Sequence, residues 1–235
     1  MERIVASIMC GNQLTLGQEL QNIRAAGIDW LHCDVMDGVY VNNLAMAPYV
    51  LEPIIQTGKF TTDIHLACVT PEKYIEMFAP LKPDFLTFHI ETTEEPERLI
   101  QRIHDLGIKV GIAINPETPI ESLFPYLDVI ELILVMTVNP GFAGQTFQQN
   151  VLEKLKSLNQ QLKMKPNKPL IEVDGNIHSE TAAAISKIGA DLYVVGTSAL
   201  FNDQPGSYTE KVMTLKQSFV TTEKGSLSNR TDRVI

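Results

Sequence analysis

Eight short runs of β-forming residues recur along the chain at near-regular intervals, and no other feature restricts its fold so tightly. They are RIVASIM (3–9), WLHCDVM (30–36), FTTDIHLA (60–67), FLTFHI (85–90), KVGIAI (109–114), ELILVMTV (131–138), LIEVDG (170–175) and LYVVG (192–196). Most are apolar almost throughout, the pattern of strands covered on both faces of a parallel sheet. Amphipathic helical patterns separate them, among them LGQELQNIRAAG (16–27), PERLIQRIHDLG (96–107) and SETAAAISKIG (179–189), closing on the glycine expected just past a helix C-terminus. Strand then helix, eight times in roughly 220 residues, predicts an α/β fold closed into a (β/α)8 TIM barrel. An open doubly wound sheet shares the alternation, but no GxGxxG follows the first run to support a dinucleotide fold, and the count of eight favours closure. The expected organisation is one barrel domain over 1–220 and a polar, aperiodic tail, TTEKGSLSNRTDRVI, over 221–235.

In such barrels the chemistry sits at the C-terminal ends of the strands, so polar residues late in each apolar run are the informative ones. The chain offers Ser7, the pair His32 and Asp34, the pair Asp63 and His65, then His89 and Asp174. Side chains two apart on a strand share a face, so His32 and Asp34 project together into one environment. Burying such groups unpaired is costly, and imidazole with carboxylate suits a divalent transition metal; a structural polar network is the alternative reading. Asp63 either orients His65 or a neighbour from behind or supports the fold. His89 is open between a place behind a metal ligand, a substrate contact and packing beneath a loop. His104 and His178 fall in helix or helix-start positions and read as surface or capping residues. Met36 and Met136 read first as core filler.

Three small-residue turns could take an oxyanion on backbone N–H groups: NPGFAGQ (139–145), DGN (174–176) and VGTS (195–198). Barrels often hold phosphate after their last two strands, and the spacing of Gly141 and Gly144 suits a lid that closes over substrate. The formal net charge of −9, with 19 scattered basic residues, argues against nucleic acid and anionic membranes as partners. Backbone dipoles must then do much of the holding of an anionic ligand. No segment is apolar enough to cross a bilayer, and MERIVASIMCGNQ lacks signal-peptide architecture. Cys10, Cys33 and Cys68 form no close pair, which points to reduced thiols and a cytoplasmic protein.

Taken together, SIM, HCDVMDG, DIHL, TFHIE, VMTVNPGFAGQ and VDGN resemble the ribulose-phosphate 3-epimerase family of metal-dependent (β/α)8 barrels of the ribulose-phosphate binding type, over residues 4 to about 202. HxDxMDG with a later MTVxPGFxGQ is highly specific as a set, whereas DxHL or VDG alone is weak. NPETP (115–119), PGFAGQ, EVDGN and VGTSALFND (195–203) look closer to the allulose-6-phosphate 3-epimerase branch. The resemblance implies one divalent metal ion, Zn, Fe, Mn, Co or Mg, held by His32, Asp34, His65 and Asp174, with Asp34 and Asp174 also the acid and base. It implies substrate contacts from Ser7, His65, Met36 and Met136, and phosphate contacts from Gly141, Phe142, Ala143, Gly144, Gly175, Asn176, Thr197 and Ser198.

The implied reaction is inversion at carbon 3 of a phosphorylated ketose through an enediolate, with D-allulose 6-phosphate/D-fructose 6-phosphate preferred over D-ribulose 5-phosphate/D-xylulose 5-phosphate. The implied assembly is a homo-oligomer, dimer or hexamer. Three departures bear on this: Ala67 stands where HLM is common, Val41-Asn42-Asn43 replaces VPN, and Asn176 replaces the second glycine of VDGG. The first suggests a wider cavity that admits a bulkier sugar; Asn176 is a residue that tolerates positive φ. A metal-dependent aldol or decarboxylase enzyme acting on sugar phosphates on a similar barrel would retain a catalytic Lys at a strand end, and none of the eight runs carries one there; Lys109 begins its strand. A non-catalytic sugar-phosphate sensor is the remaining alternative.

Overall fold

The computed structural model describes residues 2–219. Eight parallel strands close into a barrel: β1 (Arg3–Ser7), β2 (Trp30–Asp37), β4 (Thr61–Ala67), β5 (Phe85–His89), β6 (Lys109–Ile114), β7 (Leu132–Met136), β8 (Leu170–Asp174) and β9 (Leu192–Val195). Each pairs with its neighbours, and closure is made where Ser7 of β1 stands opposite His32 of β2. The (β/α)8 barrel expected from the sequence is therefore the observed fold; seven of the eight strands lie within their expected runs, and β2 continues one residue further, to Asp37. The short β3 (Leu44–Ala45) is an addition, pairing antiparallel with Met36 and Asp37 at the end of β2. The tail expected at 221–235 lies outside the described residues.

Among the described residues seven α-helices form the outer layer: α1 (Leu16–Ala25), α2 (Pro48–Gln56), α3 (Pro71–Phe78), α4 (Pro96–Asp105), α5 (Val151–Leu162), α6 (Ser179–Ser186) and α7 (Tyr208–Ser218). Three begin on proline, whose fixed φ suits the first helical position and whose missing N–H would find no partner there. The connection after β6 departs from the strand-then-helix reading: it is a seven-residue 3₁₀ helix, Ile120–Tyr126. Pro125 lacks the N–H that a longer helix would use, and Pro119 sits just ahead of the first turn.

Alternation along each strand sorts the barrel into two environments. Outward side chains such as Leu31, Cys33, Val35, Ile64, Leu66, Ile133 and Val135 pack under the helices in one large core. Inward ones divide by height. Val5, Trp30, Phe85, Leu132, Leu192 and Val194 plug the end of the barrel nearer the strand N-termini. Above that plug the interior turns polar: His32, Asp34, Asp63, His65, Thr87, His89 and Glu172 are all buried. An interior layer this polar is expensive unless its groups satisfy one another, so its contacts show what it is for.

Candidate active site

Three strands bring His32, Asp34, His65 and Asp174 together: β2 supplies the first two, β4 the third and β8 the fourth. His32 Nε2 lies 3.3 Å from Asp34 Oδ1 and 4.0 Å from Asp174 Oδ2, and His65 Nδ1 lies 3.2 Å from both His32 Nε2 and Asp34 Oδ1. One ligand-capable atom from each falls within 4.8 Å of the others, a cluster that could hold a metal ion. Two imidazoles and two carboxylates are also the donor set that borderline divalent ions prefer. The fit is supported from behind. His32 Nδ1 faces Asp63 Oδ2 at 3.3 Å and Glu172 Oε1 at 3.6 Å, so carboxylates on that side draw a proton to Nδ1 and leave Nε2 free to ligate.

Of the two readings of Asp63, orienting His65 or a neighbour and supporting the fold, the structure places it against the neighbour: Asp63 faces His32, its register partner across β2 and β4. Asp63 is itself fixed by the Thr87 hydroxyl, which donates to Oδ1 at 2.5 Å. Sequence reasoning missed Glu172, although it stands two before Asp174 on β8 and so shares its inward face. His89 lies behind His65, the two Nε2 atoms 2.8 Å apart. His104 pairs with Glu131 on the surface at 3.2 Å and His178 caps α6.

The two carboxylates at the centre differ in proton affinity. Burial disfavours the ionised form of Asp34, but the adjoining His32 and His65 outweigh it and hold the carboxyl well below the usual range. Asp174 is pushed up to about 7 by burial and by the Asp34 charge. Burial also raises Glu172 to about 8, with Asp63 adding to the effect. One carboxylate ready to accept a proton thus faces one ready to give it. The Ser7 hydroxyl donates to Asp34 Oδ2 at 2.8 Å and fixes its orientation. Cys10 Sγ is 3.9 Å from that hydroxyl, and burial and the Asp34 charge push its thiol up to about 11, so it is neutral.

A pocket opens above this cluster. Ser7, Asp34, Met36, His65, Met136 and Asp174 line its floor and walls. Gly141, Phe142, Ala143 and Gly144 line it from the β7–α5 loop, with Gly175, Asn176, Thr197 and Ser198 after β8 and β9. Every pocket residue expected from the sequence is present, and among the described residues no Lys or Arg lines the pocket. Gly175 has φ +120°, and a Cβ there would lie 2.5 Å from Val138 Cγ2, so the turn admits no side chain. Asn176 follows in the left-handed region at φ +51°, and its Oδ1 accepts the Ser198 hydroxyl at 2.7 Å. Asn43 Nδ2 donates to the Gly141 carbonyl at 2.7 Å, so the Asn-Asn departure supplies a tie between the loops after β2 and β7.

Comparison with known proteins joins this geometry to a lineage. The Ribulose-phosphate 3 epimerase family matches residues 3–201. The chain belongs to the ribulose-phosphate 3-epimerase family. A curated ribulose-phosphate 3-epimerase of Synechocystis sp. is 38% identical over 217 residues, covering 92% of this chain and 93% of that one. One from Bacillus subtilis is 37% identical over 199 residues, covering 84% and 92%. Among solved structures, 3-keto-L-gulonate-6-phosphate decarboxylase from Vibrio cholerae superposes with TM-score 0.68 at 11% identity, covering 93% and 96%. 3-Hexulose-6-phosphate synthase from Salmonella typhimurium does so with TM-score 0.64 at 15% identity, covering 93% and 98%. At such identities these two share the barrel alone. Membership of the ribulose-phosphate 3-epimerase family makes the chain an enzyme, a carbohydrate-phosphate epimerase, and sets aside the sensor reading.

Proposed function

We propose that this enzyme inverts carbon 3 of D-ribulose 5-phosphate and D-xylulose 5-phosphate. The observation that carries the reading is the pair Asp34 and Asp174, both reaching His32 Nε2 at the pocket floor and held at different proton affinities. Inverting a carbon beside a ketone requires removal of a proton from one face and delivery to the other. A single base would return the starting sugar. Asp34, ionised, takes the carbon-bound proton in one direction, while Asp174 supplies one from the opposite face; the reverse reaction exchanges their roles. Ser7 holds Asp34 in place for that transfer, and Met36 and Met136 exclude water from the reacting carbon. A divalent cation held by His32, Asp34, His65 and Asp174 would stabilise the oxyanion of the enediolate as a Lewis acid.

With no Lys or Arg among the described residues lining the pocket, the substrate phosphate is held by backbone N–H groups of Gly141–Gly144, Gly175–Asn176 and Thr197–Ser198. The curated relatives are named for the ribulose-phosphate substrate, so the five-carbon pair is placed ahead of the six-carbon pair expected from the loop motifs. The six-carbon pair stands as the second reading on one observation: Ala67, buried in one cluster with Met36 and Val41, adds no bulk behind Met36, which lines the pocket. Turnover of both substrate pairs on one metal-reconstituted sample decides between them. Asp174→Asn should abolish wash-in of solvent deuterium at carbon 3, and full exchange in that variant would refute the acid/base assignment. No helix among the described residues is long and apolar enough to cross a membrane. A cytoplasmic location fits the three free cysteines. Assembly into a homo-oligomer fits the exposed Leu44, Tyr49 and Met77 and is checked by light scattering.

A further inference from the structure

His65 is tied at both ring nitrogens. Nδ1 faces the candidate cation site, and Nε2 lies 2.8 Å from His89 Nε2. Two imidazole nitrogens at that separation need one proton between them, so one ring donates and the other accepts. The far side of His89 decides which. Its Nδ1 lies 3.2 Å from Glu91 Oε2 and 3.1 Å from the Tyr40 hydroxyl. The other oxygen of Glu91 accepts the backbone N–H of Asn115 at 2.8 Å, and Asn115 Nδ2 donates to the Tyr40 oxygen at 2.6 Å. An ionised carboxylate is acceptor-only. Lone pair against carboxylate at 3.2 Å is repulsive, so Glu91 calls for a proton on His89 Nδ1. With its proton on Nδ1, His89 turns a bare Nε2 to His65, which must donate to it.

We propose that Glu91 and His89 are positioning residues that keep the proton of His65 on Nε2, so that Nδ1 offers its lone pair to a divalent cation. The proposal rests on reading the cluster of His32, Asp34, His65 and Asp174 as a cation site. Asp34 competes, since its Oδ1 is 3.2 Å from His65 Nδ1. That oxygen also faces His32 Nε2, however, and Oδ2 already takes the Ser7 hydroxyl. The two ligating histidines are thereby held in opposite tautomers: His32 by carboxylates below it, His65 by a relay running outward to Glu91. The loop carrying Asn115 is itself pinned, because Lys154 Nζ donates to the carbonyls of Asn115, Pro116 and Thr118 at 2.7, 2.9 and 2.6 Å.

The test reads tautomers and affinity, not turnover. In chain labelled with ¹⁵N-histidine, NMR of the ring nitrogens should show His89 protonated at Nδ1 and bare at Nε2, with signals assigned by their loss in His89→Gln. Glu91→Gln has one amide oxygen for two donors, so the proton on His89 Nδ1 loses its fixed partner. Its affinity for Co²⁺ alone, followed by visible absorption, should fall about 10- to 100-fold, the usual effect of removing a partner of a ligating histidine. His89→Gln, whose amide oxygen can accept from His65 Nε2, should retain more affinity than Glu91→Gln. A wild-type His89 bare at Nδ1, or undiminished Co²⁺ affinity in Glu91→Gln, overturns the proposal. Failure of the wild-type chain to bind Co²⁺ with the His89 tautomer as stated refutes the cation reading and leaves the Glu91–His89 assignment standing.

Discussion

Gly111 has no polar atom of its own in the site, yet the structure makes it one of the positions on which the site depends. It stands opposite Thr87 in the register of β5 and β6. A Cβ at Gly111 would lie 2.1 Å from Thr87 Oγ1, 2.9 Å from its Cβ and 3.0 Å from its Cγ2. Both positions lie inside a closed sheet, so Gly111→Ala must drive the Thr87 side chain out of its place. Overpacking of this kind costs about 1–3 kcal/mol. Loss of the 2.5 Å hydrogen bond from Thr87 to Asp63 strips a buried carboxylate of a donor, for about 1–3 kcal/mol more. The lower chain entropy of alanine in the unfolded state returns about 0.4–1 kcal/mol. The net expectation is a loss of about 2–5 kcal/mol, from a total that is about 5–15 kcal/mol for most domains. Urea unfolding of Gly111→Ala, Thr87→Gly and the double variant provides the assay. Exchanging the side chain between the two strands removes every one of the close contacts, so Gly111→Ala should cost little in the Thr87→Gly background, a coupling of about 2 kcal/mol or more. A Gly111→Ala variant within about 0.5 kcal/mol of wild type, or equal costs in both backgrounds, would refute the reasoning.

Two further substitutions probe the pocket. Ser7→Ala removes the donor to Asp34 Oδ2; at about 1.5–3 kcal/mol for a hydrogen bond to a charged group, kcat/KM should fall about 10- to 100-fold, and an unchanged value would show that Asp34 keeps its orientation unaided. Asn43→Ala cuts the tie to the Gly141 carbonyl; losing one neutral hydrogen bond of about 0.5–1.5 kcal/mol should raise KM about two- to tenfold with kcat nearly unchanged, whereas a fall in kcat alone would mean the loop does not act on substrate retention.

Much of the fold was legible because a closed parallel barrel needs buried, near-continuous apolar strands, and the chain spells out eight of them. His32, Asp34, His65 and Asp174 were legible for a related reason: period two places them inward, and a polar residue facing the inside of a barrel near its C-terminal rim has few roles but chemistry. The same argument reaches Glu172, which follows from Asp174 by counting back two. Glu91, Tyr40 and Asn115 were hidden because each sits past the end of a strand, where side-chain direction depends on the turn and no period applies. Gly111 was hidden because its importance is a cross-strand distance to Thr87. The 3₁₀ helix at Ile120–Tyr126 escaped since a barrel requires only that something cover the strand, and Leu123 and Ile120 do so without an α-helix.

The charge inside the barrel yields one more expectation. Asp34, Asp63, Glu172 and Asp174 point into one interior, and among the described residues the buried polar groups include no Lys or Arg; His32, His65 and His89 are the only basic side chains there. Four carboxylates in so dry a space repel one another, and two of them respond by holding protons more tightly, Asp174 and Glu172 being raised to about 7 and 8. A divalent cation would relieve that repulsion in the folded state alone, because the ligands come from three strands, β2, β4 and β8, that disperse on unfolding. Binding should therefore stabilise the fold as well as enable catalysis. At a free concentration one hundred times Kd the gain is about 2.7 kcal/mol, which for a chain of this size is a rise in Tm of about 5–10 °C. Thermal unfolding with a chelator, then with Zn²⁺, Mn²⁺ or Co²⁺ restored, measures it directly. A chelated sample that loses activity with no change in Tm would mean that the cation acts somewhere other than among these four carboxylates.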